Sequence, residues 1–317
     1  MKKQVWIAGI GCVAIGALLM GIGFATHAFD TQRYLESLNL EEKTIALEEE
    51  FSSVSFDITY EADLTIRSSA ADAYSIQAKN LPADALTVSV QEDTLQVHLN
   101  KKLPWYYHIS FFNLSVPRAE LVLTLPEETY EKISVQNSLG DVTVEQVAAN
   151  ALSLHLQCGD LRVSDLEGES LSLENNLGNI YAQHLTVSKS LSVEDHCGDI
   201  TLKNIQAEQA TQCSVQNNMG ENTLSGGTYR NLTVFNNCGD IQLQGTKLLE
   251  DCSITCDLGD LSGTLAGAET DYSVDADCDM GDLSIGGAHS GWRQDSASCK
   301  LLLRNHCGDI DLSLIHI

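Results

Sequence analysis

The chain has 317 residues, ample for a core, and its 44 acidic against 18 basic residues give a formal charge of −26. That balance excludes electrostatic binding to nucleic acid, to anionic headgroups and to anionic wall polymers not bridged by divalent cations; it favours cationic partners. It also suits a solvated, aggregation-resistant surface.

Met1-Lys2-Lys3 precedes an uncharged, mostly apolar run from Val5 to Ala25. At about 1.5 Å per residue the run reaches about 31 Å, enough to cross a hydrocarbon core of about 30 Å. Lys2 and Lys3 are expected to stay cytoplasmic and to send the remaining chain outward. A cleaved signal peptide is the competing reading, and the poor small-x-small tail Thr26-His27-Ala28 favours an uncleaved anchor over residues 1–29. The expected location is therefore the cell membrane, single-pass, with the C-terminal domain extracytoplasmic.

Residues 30–50 are Glu-rich and heptad-like through Leu35, Leu38, Leu40 and Leu47, and read as an acidic stalk, helical or flexible. Residues 51–130 hold strand-like runs (Val54 to Ile58, Leu64 to Ile66, Leu86 to Val90, Leu95 to Leu99) and read as an irregular β cap over the first repeat. Within it, Lys101 to Val116 concentrates Trp105, Tyr106, Tyr107, Phe111 and Phe112. These aromatics pack the cap core or form a contact surface, and Trp105, Tyr106 and Tyr107 are candidate binding residues.

Residues 131–311 repeat one phrase: Leu, Met or Cys, then Gly, then usually Asp, then usually an apolar residue. The corner pairs are Gly140-Asp141, Gly159-Asp160, Gly178-Asn179, Gly198-Asp199, Gly220-Glu221, Gly239-Asp240, Gly259-Asp260, Gly281-Asp282 and Gly308-Asp309. The glycine spacings are 19, 19, 20, 22, 19, 20, 22 and 27. Apolar residues recur seven and five places before each glycine (Ile133 and Val135, Leu152 and Leu154, Leu171 and Leu173) and in most repeats two and four places after it (Val142 and Val144). This two-residue alternation on either side of a corner predicts strand, Gly-Asp corner, strand, loop. One such unit cannot bury its apolar face alone, so neighbours must stack. The fold class is all-β, a parallel, right-handed β-solenoid of about nine rungs of ~20 residues, roughly 40 Å long at ~4.8 Å per rung.

Chemistry-bearing residues read mostly as structure. Asn137, Asn175, Asn217, Asn236 and Asn305 stand three places before their glycines, as in a stacked amide ladder. The Asp ladder offers oxygen ligands for Ca²⁺, but the calcium β-roll phrase Gly-Gly-x-Gly-x-Asp is absent, so a corner role is preferred and no metal or cofactor is assigned. The Cys, Leu and Met residues before each glycine are read as facing inward. On that basis His196-Cys197 and His306-Cys307 are not nucleophile–base dyads, since adjacent strand residues face opposite ways. Cys158, Cys197 and Cys238 lie two repeats apart, about 9.6 Å, beyond the roughly 7 Å Cα limit of a disulfide. Cys256 and Cys278 share one offset in consecutive repeats and are placed in neighbouring rungs, within reach of each other. No catalytic motif (Gly-x-Ser-x-Gly, P-loop, His-Glu-x-x-His) is present. The longest spacing contains Gly286-Gly287 and the pair Trp292-Arg293, a candidate interface anchor. Residues 312–317, Leu-Ser-Leu-Ile-His-Ile, match the translation of a common sequencing adapter and are flagged as an artefact of that kind.

Phe51-Ser52-Ser53-Val54, then Leu123-Thr124-Leu125-Pro126 before Tyr130, then the reiterated Leu-Gly-Asp-Val and Cys-Gly-Asp-Ile phrases resemble the bacterial "putative adhesin" family of β-strand-repeat proteins, domain of unknown function 4097. The resemblance spans roughly Ile45 to Leu312. It implies an envelope protein, membrane-anchored or secreted, and supplies no catalytic residue. Many members have Ser or Thr before the Gly-Asp, so the Cys, Leu and Met here are a departure. The expected function is a non-enzymatic, membrane-anchored extracytoplasmic solenoid, an adhesin or envelope-binding scaffold. An accessory subunit of an envelope-stress signalling system is the alternative. A polysaccharide-acting β-helix enzyme ranks below both, resting on fold analogy alone.

Overall fold

A computed structural model describes residues 39–70, 73–100, 117–291, 293–294 and 296–315, together with Gly16. These residues form one parallel β-solenoid built from 24 strands. Among them no helix is long and apolar enough to cross a membrane; the span expected over 5–25 lies, apart from Gly16, outside the described residues.

Each layer has a strand before its glycine and a strand after it. Strand β8 (Thr129–Asn137) stacks under β10 (Ala148–Leu156), which stacks under the second half of β11 (Leu161–Asn175) and then of β12 (Ile180–Asp195). The register aligns Ile133, Leu152, Leu171 and Leu191 in one row, with Cys213 of β15 (Gln212–Asn217) and Leu232 of β18 (Leu232–Cys238) continuing it. All are buried. A second row runs through β9 (Val142–Glu145), β11, β12, β13 (Ile200–Lys203), β16 (Asn222–Ser225) and β19 (Ile241–Leu258). The alternation read from sequence places both rows in one continuous core.

Two further parallel layers precede the glycine layers, where an irregular cap was expected. Strands β2 (Ser53–Ile58) and β3 (Ala62–Ser69) stack against β8 and β9, and β6 (Thr94–Leu99) and β7 (Ala119–Pro126) stack beyond them. Antiparallel strands close this end: β5 (Leu86–Gln91) on β6, β4 (Tyr74–Pro82) on β7, and β1 (Leu40–Leu47) on β4. Over Leu40–Leu47 a strand stands where a helical or flexible stalk was expected, because Ile45 and Leu47 follow a period of two and pack on the core; residues 30–38 of that stalk lie outside the described residues. The connection from β6 to β7 stands where other layers have a short corner. Trp105, Tyr106 and Tyr107 belong to it and lie outside the described residues.

The far end is threaded out of sequence order. Strand β23 (Cys299–Cys307) pairs with β19 on one side and with β21 (Tyr272–Cys278) on the other. Strand β24 (Ile310–Ile315) likewise lies between β20 (Leu261–Ala266) and β22 (Leu283–Ile285). The chain thus skips a layer between Gly259 and Gly281, builds the outermost one, and returns to fill the gap before Gly308, which accounts for the last two spacings, 22 and 27. Cys256 and Cys278 are both opposite Asn305, so a whole layer separates them and the proximity expected from consecutive repeats is corrected. Both are free thiols. Residues 312–315 sit inside this strand pairing, with Leu312 buried.

The corner glycines explain why the stack closes. Each has φ between +122° and +158°, and a Cβ there would stand 1.9 to 2.3 Å from a backbone carbonyl oxygen of the layer beneath. In all but the first that oxygen belongs to the neighbouring glycine; under Gly140 it belongs to Ala62. Gly287 offers a contrast, with φ +83° but nothing within 4 Å. Gly287→Ala is expected to cost about 1 kcal/mol in denaturant unfolding, from backbone strain alone. Gly220→Ala adds a backbone collision and is expected to cost upward of ~3 kcal/mol. Equal losses at the two positions would refute the close-approach account.

Candidate functional site

Three more ladders run along the glycine corner. The carboxylate ladder stands just after the glycines. Asp160 N–H donates to Asp141 Oδ1 at 2.8 Å, Asn179 N–H to Asp160 Oδ1 at 2.9 Å, Asp199 N–H to Asn179 Oδ1 at 2.9 Å, and Glu221 N–H to Asp199 Oδ1 at 2.9 Å. The bonds continue from Asp260 to Asp240, Asp309 to Asp260 and Asp282 to Asp309, in the spatial order of the layers. Glu221, one methylene longer, accepts instead from Thr223. Apart from Glu221 and the terminal Asp282, each side chain satisfies a backbone donor of the next layer. Sequence reading missed the first member, Asp63, which accepts from Asp141 at 2.9 Å. Its signal was Ala62-Asp63-Leu64, a corner phrase with alanine in the glycine's place.

The inner ladder, three places before each glycine, is buried. Asn175, Asn217, Asn236 and Asn305 donate from Nδ2 to the glycine carbonyl of the layer beneath at 2.8 to 3.0 Å, and Asn137 donates to Ala62 at 3.1 Å. Cys256 and Cys278 do the same with their thiols. Asp195 holds this position in the Gly198 layer, in register between Asn175 and Asn217. Its Oδ1 accepts from Cys197 N–H at 3.1 Å, while Oδ2 is buried without a partner. Most layers place a donor here, which on Asp195 only the protonated carboxyl supplies; the Gly159 layer has the apolar Leu156 instead. Burial raises the Asp195 pKa to about 6, against opposing bonds from the Cys197 and His196 amides.

The outer ladder, directly before each glycine, corrects an expectation. Leu139, Leu177, Met219, Leu258 and Met280 are 38%, 52%, 53%, 53% and 66% exposed. Cys238 is exposed, and Cys158, Cys197 and Cys307 are half-buried. These side chains do not fill the core, because the two-residue period ends at the buried position three places before the glycine, even where the strand itself runs on to Cys238, Leu258 or Cys307. The bend that follows breaks the two-residue period and turns the next apolar side chain outward. In spatial order the row reads Leu139, Cys158, Leu177, Cys197, Met219, Cys238, Leu258, Cys307, Met280, bulky and small in strict alternation. The backbone bonds link each to its neighbour's layer, Gly198 N–H to Met219 O and Gly308 N–H to Met280 O among them.

This apolar ridge runs beside the carboxylate ladder. Near its start Arg118 reaches Asp63 at 3.7 Å, and Arg162 reaches Asp160 at 2.7 Å and Asp141 at 3.7 Å. Among the described residues Asp199, Glu221, Asp240, Asp260, Asp309 and Asp282 make no ion pair. The ridge's most exposed residues therefore lie in its most acidic half. Of the remaining candidates, Arg293 is exposed in the connection that returns the chain to β23, and Trp292 lies outside the described residues. His306 Nδ1 pairs with Asp257 Oδ1 at 2.7 Å. Among the described residues no group of three or more His, Cys, Asp or Glu side chains is placed to hold a metal.

Two predictions follow the ladders. An acid whose folded pKa lies near 6 against 3.8 unfolded keeps its proton in the folded chain while the unfolded chain loses it. Stability is then highest below pH 3.8 as far as this group is concerned, and falls as pH rises from about 4 to 6. Asp195→Asn supplies the missing donor and is expected to add about 2–3 kcal/mol at pH 7 and to flatten that pH interval in urea titrations; an unstable variant would sink the assignment. Asp199→Ala removes an acceptor for the next layer and is expected to cost about 1–2 kcal/mol, with no change in Tm on adding a chelator to the parent chain.

The family model described as Toastrack DUF4097 matches residues 51–313. Solved structures similar to this chain include a "putative adhesin" from Bacteroides fragilis (15% identity, 86% of this chain and 97% of that one, TM-score 0.37). Others are a "putative adhesin" from Parabacteroides merdae (12%, 85% and 95%, TM-score 0.44) and a "putative lipid binding protein" from Parabacteroides distasonis (13%, 86% and 97%, TM-score 0.48). No curated protein matches the chain. With its repeat corners and continuous core accounted for over that same range, the chain belongs to the Toastrack DUF4097 family.

Proposed function

We propose that the chain is a non-enzymatic, membrane-anchored extracytoplasmic solenoid that binds or scaffolds a cationic envelope component along its apolar ridge. The observation that carries this reading is the ridge itself: a row of exposed Leu and Met side chains alternating with smaller, mostly half-buried Cys, beside carboxylates that make no ion pair among the described residues. Contiguous exposed apolar surface on this scale marks an interaction site more often than it occurs idly. The acidic flank adds steering for a cation and repels anionic polymers. The apolar run over residues 5–25 supports the anchor and the outward orientation.

The test uses intact cells. Labelling from outside is expected to reach the domain, and labelling only after lysis would overturn the topology. A photocrosslinker at Met219 is expected to capture an envelope component. Capture should fall about tenfold, equivalent to ~1.4 kcal/mol, in a Leu177→Ser, Leu258→Ser double variant, and should weaken as salt is raised. Equal capture from Ser192, on the outer face of β12, would overturn the ridge as the contact surface.

A further inference from the structure

Over two stretches of its length the ridge is made of sulfur. Cys197 O accepts from Gly178 N–H at 3.0 Å, Met219 O from Gly198 N–H at 2.9 Å and Cys238 O from Gly220 N–H at 3.0 Å. Cys197, Met219 and Cys238 therefore hold one corner position on three consecutive layers. The corners are built alike: Cys197 N–H donates to Asp195 Oδ1 at 3.1 Å, and Met219 N–H to Asn217 Oδ1 at 3.2 Å. At the far end Cys307 and Met280 are consecutive too, with Cys307 O accepting from Gly259 N–H and Met280 O from Gly308 N–H, both at 3.0 Å. Met219, Cys238 and Met280 are exposed, and Cys197 and Cys307 half-buried. Cys158 differs from all of these, because its neighbouring layers carry Leu139 and Leu177.

We propose that each stretch binds one soft monovalent cation, Cu(I) or Ag(I), between a cysteine thiolate and the methionine thioether of the neighbouring layer. Cys and Met are the side chains that select such ions. Layers ~4.8 Å apart place an ion midway at about 2.4 Å from each sulfur, close to the ~2.3 Å of a metal–thiolate bond. A row offers ligands above and below the ion but none around it. That suits an ion content with two opposed ligands and does not suit Zn²⁺, which asks for a tetrahedron. Among the described residues no group of three or more His, Cys, Asp or Glu side chains is placed to supply one. Met219 stands between two thiols, and its flexible side chain closes on the thiolate of either layer.

The surrounding charge fits a cation. Asp199, Glu221 and Asp240 follow the glycines of the first stretch, Asp309 and Asp282 those of the second, and among the described residues none of them makes an ion pair. Beside Cys158 the corresponding Asp141 and Asp160 are both taken by Arg162. Paired sulfurs thus coincide with uncompensated carboxylates, and the isolated thiol with compensated ones. The carboxylates raise the local concentration of a cation without serving as ligands. Binding exchanges one thiol proton for one cation at each site, Cys–SH and M⁺ giving Cys–S–M and H⁺, with no change of oxidation state. This assignment shares the ridge with the proposed envelope contact but does not rest on it, since leucine in place of methionine keeps the ridge apolar and removes the ligand.

The experiment titrates the purified full chain, reduced and under argon, with Cu(I) in competition with a coloured Cu(I) chelator. Two ions per chain are expected to be held against the chelator, and Zn²⁺ is expected not to displace them. Met219→Leu should weaken one site at least tenfold, about 1.4 kcal/mol, and Met219→Leu with Met280→Leu should weaken both. These methionines are 53% and 66% exposed, so leucine there leaves the core intact. The Leu177→Ser, Leu258→Ser double variant, which breaks the ridge for an envelope component, should bind Cu(I) as the parent does. Thiol alkylation of the parent chain, mapped by peptide, locates the ions without any variant: Cu(I) should slow modification of Cys307 and of Cys197 or Cys238, and leave Cys158 unaffected. Failure to hold any ion, binding indifferent to both methionines, or Cys158 protected as well as the others would overturn the proposal.

Discussion

Layer rests on layer through the glycine corner, where the backbone of one repeat passes within carbonyl contact of the next. No Cβ fits between them, and the φ values of +122° to +158° are ones that L side chains resist. Once this contact is set at every layer, the register of all flanking positions is set as well. The residue three before the glycine faces the core and, in every layer but those of Leu156 and Asp195, donates to the carbonyl of the corner below. The residue after it must offer an acceptor to the amide above. The strands on either side inherit their alternation from this shared origin, and the core rows follow.

Both ends of the rod deal with the open edge of a parallel stack by threading the chain out of order. At one end β2 and β3 are enclosed by the later β6 and β7, and antiparallel β4 and β5 cover what is left. At the other, β23 and β24 are tucked beneath the earlier β21 and β22. The last strands of the described chain are thus paired on both sides instead of fraying at an edge. The outermost layer is short, and Asp275 and Asp277 on β21 are charges of the kind that discourage pairing with another chain.

Along the outside of the same corner the chain leaves a row of apolar side chains that its core does not need. Their alternation of bulky and small is unbroken only in the spatial order of the layers, with Cys307 preceding Met280. A row built this way is a straight apolar edge about as long as the stack, with carboxylates at the same repeat beside it. The polar links are made on the inner and following positions, so the ridge is free to vary without disturbing them. Its chemistry is therefore the part of the corner most open to specialisation among proteins with this scaffold.

The sequence by itself determined the repeat, the corner and most of the buried positions seven and five before and two and four after the glycines. Those features rest on local rules, a two-residue period and a glycine that cannot carry a side chain, and local rules are written in consecutive residues. Asp63 escaped because Ala62 stands where the glycine would be. The outward turn of Leu177, Met219 and Leu258 escaped because the two-residue period was carried past the buried position three before the glycine and into the corner. Tertiary structure alone decided which layers are neighbours, since the apolar rows of β20 to β24 are interchangeable and long spacings do not say which way a connection runs. The separation of Cys256 from Cys278 and the burial of Asp195 between Asn175 and Asn217 both follow from that stacking. They are contacts between layers, and layers meet only when the chain has folded.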